Sequence, residues 1–172
     1  MIEKPELKIR REVVENDLET VRAIADSSGF FRKDEIDVAV ELVGEALAKG
    51  DESGYYFLFA EMQGETVGFA CFGPIPCTIG SFDLYWIAVH QNHRGHGIGH
   101  LLLKETETAV ENLKGRKIYI ETSSLPKYDP TRHFYLAAHY SEVARFKDFY
   151  DTGDDKVVYC KDPGIKVEKL IS

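Results

Sequence analysis

The chain has 172 residues, a length that fits one domain whose core needs no disulfide or metal staple. Its 44% hydrophobic and 12% aromatic content excludes a disordered chain, and a net charge of −8 without long Lys or Arg runs argues against DNA or RNA as a partner. No apolar segment approaches the roughly 20 residues that span a bilayer, the first residues lack a secretory pattern, and three cysteines form no CxxC pair. A cytoplasmic location with reduced thiols is therefore expected, and no membrane.

Leu7 to Arg11 alternates apolar and charged residues and predicts an edge-type strand. Asn16 is placed to cap a helix from Asp17 to Ala25 that stops near Ser27, Ser28 and Gly29. Ile36, Val40, Leu42, Val43, Ala46 and Leu47 form the stripe of a second helix ending at Gly50. Tyr55 to Met62 and Thr66 to Phe72 predict a hairpin around Gln63, Gly64 and Glu65, and the Pro-containing loop Gly73 to Cys77 ends it. Phe82 to Val89 is the next strand, Leu101 to Leu113 a helix, and Lys117 to Glu121 a strand, a βαβ unit whose strands should be parallel. Asp129 is expected to cap a helix with Pro130 at its first position and with Phe134, Tyr135 and Ala138 along it. Val143 to Phe149 and Lys156 to Cys160 predict two antiparallel strands joined by the turn Asp151 to Asp155, and Ile165 to Ser172 reads as a tail. The order β-α-α-β-β-β-α-β-α-β-β implies an α/β (α+β) domain over residues 1–172, built around one mixed sheet.

Between the strand at Phe82 to Val89 and the helix lies His90-Gln91-Asn92-His93-Arg94-Gly95-His96-Gly97-Ile98-Gly99. Glycines let the backbone take positive φ and approach a ligand closely, and the first amides of the next helix lack intrahelical partners, so the loop suits an anion. A dinucleotide fold has Glu121 in its favour as a ribose-binding acid. Against it, His100 stands where G-x-G-x-x-G/A needs its last small residue, five residues separate the strand from Gly95, and two helices and a hairpin come first. A P-loop is excluded because no Gly-Lys-Ser/Thr closes the loop.

The stretch Asn92-His93-Arg94-Gly95-His96-Gly97, extended by Ile98-Gly99, resembles the Q/R-x-x-G-x-G/A loop of the GNAT superfamily, the GCN5-related N-acetyltransferases. The element order from Leu7 to Lys161 and the Phe134-Tyr135 helix agree with that resemblance. It implies a GNAT fold: a mostly antiparallel sheet with a parallel, splayed strand pair and flanking helices. It also implies acetyl-CoA as co-substrate, with Ile87, Ala88 and Val89 lending main-chain contacts to the acetyl and pantetheine groups. Arg94, Gly95, His96, Gly97, Ile98 and Gly99 would hold the pyrophosphate. Asn92 departs from the usual Gln or Arg, and His139 replaces the glycine that usually closes the later helix; histidine tolerates left-handed φ, so the helix should still end there. Tyr128 stands where many members carry Asn.

The resemblance also implies the catalytic residues. Asp83 aligns with the base of the histone-acetylating members, although a solvated strand-end carboxylate, with water as base, fits the position equally well. Tyr135 matches the tyrosine that protonates the CoA sulfur, and the Ile87 N–H would stabilise the oxyanion. An acceptor wall would be formed by Phe30, Phe31, Tyr55, Tyr85 and Tyr128 beside Asp83, with Arg32 and Arg132 as anion partners.

Histidines 90, 93, 96 and 100 span three kinds of local structure without Cys or carboxylate partners, so no metal is expected, and Asp151, Asp154 and Asp155 lack calcium-loop spacing. Cys71 sits in an apolar strand without a base near it in sequence, which disfavours an acyl-cysteine route; Cys71 and Cys160 read as packing residues. The expected reaction is direct transfer of an acetyl group from acetyl-CoA to the primary amine of a small molecule, an amino acid or similar amine. The wording Asp83 to Val89 with Glu121 to Ser124 resembles a bacterial subgroup of D-alanine-like amino-acid N-acetyltransferases. A protein lysine or N-terminal acetyltransferase and a non-catalytic acyl-CoA-binding module remain as alternatives. The partners implied are an amine acceptor and, for assembly, a second copy of the chain.

Overall fold

The computed structural model describes residues 6–164, so the tail expected from Ile165 onward lies outside the described residues. The elements are β1 (Leu7–Arg10), α1 (Asp17–Ser27), α2 (Lys33–Lys49), β2 (Tyr56–Met62), β3 (Glu65–Pro74), β4 (Ser81–Val89), α3 (Ile98–Asn112), β5 (Lys117–Ser123), α4 (Asp129–Ala137), β6 (Ser141–Asp151) and β7 (Asp154–Lys161). Their order is the one predicted, with short 3₁₀ turns added at Gly50–Ser53, Gln91–His93 and Pro126–Tyr128. The seven strands follow the order β1-β2-β3-β4-β5-β7-β6. Only β4 and β5 pair in parallel among the pairs described, as Ser81–Lys117, Phe82–Ile118 and Asp83–Tyr119; β4 continues to Val89 and β5 to Ser123.

The described chain divides into two compact units, one running to Gly73 with Trp86–Thr106, the other comprising Pro74–Tyr85 and the residues from Glu107 on. In the first unit, α1 and α2 bury Val21, Ile24, Ala39, Val43 and Ala46 against Phe57, Phe59, Phe69, Cys71 and Ala88. The inner face of α2 is Ile36, Ala39, Val43 and Ala46, whereas Leu47 is exposed. A small residue at position 39 lets α2 lie close, which a pattern of large apolar residues does not reveal. Asn16 does not cap α1: its own backbone is helical, and its side chain bonds Thr20 Oγ1 at 3.2 Å. Asp17, the first helical residue, instead ties down the segment before the helix, accepting from Val14 N at 2.8 Å and from both Arg10 amino groups at 2.8 and 2.9 Å, and no side chain caps α1. Arg10 also bonds Glu61 at 2.6 Å and lies over the Phe59 ring, so the buried Asp17 carboxylate is paired rather than stranded.

The β2–β3 hairpin turns on Gln63 and Gly64 alone, both at positive φ, because Glu65 already pairs with Met62. Two left-handed residues match the twist of a tight hairpin, and glycine supplies the second without steric cost. Gly68 on β3 marks a close approach: a Cβ there would meet the Ala88 carbonyl at 3.0 Å, Leu102 at 3.2 Å and Ile98 at 3.3 Å. Gly68→Ala is expected to destabilise the fold by about 1–3 kcal/mol, the usual cost of overpacking, as read from the urea midpoint; an unchanged midpoint would show that α3 yields freely.

In the second unit, Phe82, Leu84, Ile118, Ile120, Val157 and Tyr159 are buried. The registers Asp83–Tyr119, Glu121–Val158, Ser123–Lys156 and Phe146–Lys156 place the other set of side chains on the opposite face. The helix α4 begins after the 3₁₀ turn, so Tyr128 rather than Asp129 is its N-cap and Pro130 is the second residue. It ends at Ala137, and His139 takes φ 67°, the left-handed conformation expected where glycine is usual. The β6–β7 turn is tighter than predicted, Thr152-Gly153, with Asp151 paired to Asp154.

Candidate active site

In the first unit, β4 ends at Val89 and His90 N–H donates to the Val67 carbonyl at 2.8 Å, after which Gln91–His93 form a 3₁₀ turn. Gly95 and Gly97 follow at φ 77° and 76°, and a Cβ on either would meet nothing within 4 Å. Glycine is needed here for backbone conformation, and the space over the loop is left open to a ligand. Gly99 does not belong to the loop, because α3 starts at Ile98 and the first in-register amide, Leu101 N–H, bonds the Gly97 carbonyl at 3.0 Å. The amides ahead of that bond lie at the positive end of a 15-residue helix. The loop thus has the positive-φ glycines and the adjoining helix start that were expected, with the helix beginning three residues earlier, at Ile98.

Arg94 is turned to the segment between α1 and α2. Its guanidinium donates to the Ser28 carbonyl at 2.9 Å and lies 5.2 Å from the Phe30 ring, while Gln91 N–H donates to Ser27 Oγ at 3.2 Å. The imidazole of His96 contacts the His93 carbonyl at 3.1 Å. Ala88 is buried and Ile87 and Val89 are half-buried. Phe31 packs edge-on against Trp86 at 4.6 Å, and with Tyr55 it borders the core of this unit. No group of three or more His, Cys, Asp or Glu residues is placed to hold a metal among the described residues.

In the second unit, Asp83 is half-buried and its carboxyl is pushed up to about 6, first by desolvation, then by the Glu121 carboxylate, against the opposing pull of Lys156. Glu121 bonds the Lys156 ammonium at 3.2 Å. Neither residue is marked by a local motif; the apolar run Val157 to Cys160 hints at a strand but not at which residue of β5 Lys156 will face. Tyr135 is 4% exposed, stacked obliquely 6.0 Å from both Tyr140 and Tyr159, and burial pushes its phenol up. Since Tyr159 pairs with Ile120, Tyr135 packs on the face opposite Asp83, so the two predicted catalytic side chains are not in contact. Tyr85 is 37% exposed on β4, and Tyr128 lies under the Lys127 ammonium at 5.1 Å.

The structure corrects one expectation about the acceptor wall. Arg132 donates to the carbonyls of Ser123 and Leu125 and pairs with Asp129, so its guanidinium closes the β5–α4 connection instead of serving an acceptor anion. Arg32 pairs with Asp34 at 3.1 Å on the surface. Cys71 and Cys160 are buried as expected, Cys77 is exposed, and all three are free thiols; burial pushes the Cys71 thiol up, which opposes nucleophilic use.

Sheet order, the parallel strand pair and the glycine loop before α3 agree with what the GNAT resemblance implies for the fold. The sequence profile of the acetyltransferase (GNAT) family matches residues 18–140. A crystal structure of a protein assigned to the GNAT family from Desulfovibrio desulfuricans superposes with TM-score 0.91 at 43% identity, over 92% of this chain and all of that one. The ribosomal-protein-S18-alanine N-acetyltransferase of Escherichia coli gives 0.74 at 16% identity over 97% and 100% of the two chains. An aminoglycoside 6′-N-acetyltransferase complexed with coenzyme A gives 0.73 at 19% identity over 92% and 98%. A comparison with curated protein sequences finds no match. The chain belongs to the GNAT family of acetyltransferases, whose acetyl donor is acetyl-CoA.

Proposed function

We propose that the chain acts as one domain and transfers the acetyl group of acetyl-CoA to the primary amine of a small molecule, an amino acid or similar amine. The observation that carries this reading is the Asp83 carboxyl, half-buried and pushed up to about 6, the range in which a carboxylate can take a proton from an ammonium acceptor near neutral pH. Asp83 removes that proton, the freed nitrogen forms its bond to the acetyl carbon, and the Ile87 N–H stabilises the oxyanion. As the carbon–sulfur bond breaks, Tyr135 gives its proton to the departing sulfur, and the second proton shed by the acylated nitrogen as it becomes the amide restores the phenol; no covalent enzyme intermediate is needed. The open loop at Gly95 and Gly97 suits the pyrophosphate of the donor, with Ile98 at the helix start and Arg94 and His96 beside it.

Phe30, Phe31, Tyr85 and Tyr128 are assigned to the acceptor side, an aromatic set suited to a small ligand. Three free cysteines support a reducing, cytoplasmic setting, and among the described residues no helix is long and apolar enough to cross a membrane. Proteins of this fold bear names for both a protein N-terminal alanine and an aminoglycoside, so the fold leaves the acceptor class open. Release of CoA thiol with acetyl-CoA and a panel of D- and L-amino acids, diamines, aminoglycosides and peptides decides it. Turnover is expected with free amino acids above all. Turnover on peptides alone would replace this reading with protein acetylation, and donor binding without any thiol release would leave a non-catalytic module.

A further inference from the structure

The charged face of the second unit holds a group that the reaction above does not use. Lys156 has only 15% of its side chain exposed, and its ammonium is held by three partners: Glu121 Oε1 at 3.2 Å, the Phe149 ring at 4.1 Å and the Phe146 ring at 5.1 Å. Strand register explains the arrangement. Asp83 pairs with Tyr119, Glu121 lies two residues further on the same face of β5, and Lys156 pairs with Ser123, two residues beyond Glu121. Interstrand spacing and strand rise put the Asp83 and Glu121 backbones about 8 Å apart. The ion pair with Lys156 fixes where the Glu121 charge sits, and the two rings keep the ammonium from following solvent.

The titratable groups around Asp83 can be followed element by element. Along β4 there is Tyr85; on β5, Lys117, Tyr119 and Glu121; on β7, Cys160, Lys156 and Asp154; the Lys117 ammonium is paired with Asp162 at 2.7 Å. Asp154 is occupied by the Ser123 hydroxyl and Ser124 N–H, and the segment 74–80 carries only the exposed Cys77. The two full charges that act on Asp83 are those of Glu121 and Lys156, with opposite signs. We propose that Glu121 and Lys156 are positioning residues for the base: the aromatic-clasped ammonium holds Glu121 beside Asp83, and the balance of the two charges sets how readily Asp83 takes the acceptor's proton. This rests on the reading of Asp83 as base.

The test is a carbon-13 titration of the Asp83 carboxyl in the full chain, alongside the pH profile of kcat/KM. Glu121→Gln removes a like charge, so the Asp83 midpoint should fall; Lys156→Met removes the counter-charge, so it should rise. At this separation each displacement is on the order of half a pH unit, and the double variant should return close to the starting value. Lys156→Arg keeps the charge and should restore the profile, which a packing role alone would not require. Midpoints that stay in place in both single variants would overturn the proposal, whatever happens to the rate. Midpoints that move in opposite directions while the rate profile stays fixed would uphold the electrostatic coupling and remove Asp83 from the reaction.

Discussion

Asp83→Asn is expected to lower kcat/KM by about 10²-fold between pH 7 and 8, the usual contribution of a positioned general base. The amide cannot take a proton, so the variant can use only acceptor already neutral in solution. Amino acid α-amines have reference pKa values near 8, so its residual rate should climb steeply toward high pH, while the unaltered enzyme levels off above the Asp83 midpoint near 6. A profile of unchanged shape would assign the proton to water. The same substitution should stabilise the fold. A carboxyl raised from its ordinary 3.8 to about 6 prefers its neutral form in the folded state, so its charge costs stability above pH 6 and the cost disappears as pH falls from 6 toward 3.8. Discounted for partial exposure, the gain at pH 8 is about 1 kcal/mol, roughly 3 °C in Tm for a chain of this size, and it should vanish below pH 4.

Tyr135→Phe is expected to reduce kcat by about 10- to 100-fold while leaving KM for acetyl-CoA within about 2-fold. The ring is buried against Tyr140 and Tyr159, and phenylalanine fills the same volume, so the loss should come from the hydroxyl rather than from packing. Burial that pushes the phenol up also keeps it protonated throughout the working range, so Tyr135 should impose no basic limb on the rate profile. Stopped-flow thiol release under single-turnover conditions measures the step directly. A variant with unchanged single-turnover rate would take Tyr135 out of the reaction and leave it a core residue.

The elements most legible in the sequence were those set by neighbours a few residues apart. The glycine loop was read because positive φ at Gly95 and Gly97 is a property of each residue and its place before a helix. The end of α4 at His139 was readable for the same reason. Gly99 was misplaced because helix propensity disfavours glycine, yet α3 begins at once after the Gly97 turn and includes it. Leu47 was counted into the inner stripe of α2 on hydrophobicity, whereas Ala39 takes the buried place.

The charge environment of Asp83 was of another kind. Glu121 drew notice as a ribose-binding acid and in the wording Glu121 to Ser124, Lys156 only as the start of a strand, and Arg132 was offered to an acceptor although backbone carbonyls already hold it. Sequence by itself determined the glycine loop and the order of elements, because local conformation and periodicity follow from residues close along the chain. Tertiary structure alone decided that Asp83, Glu121 and Lys156 share one face, since strand register joins residues far apart in sequence and electrostatic coupling depends on the separation and burial that register creates.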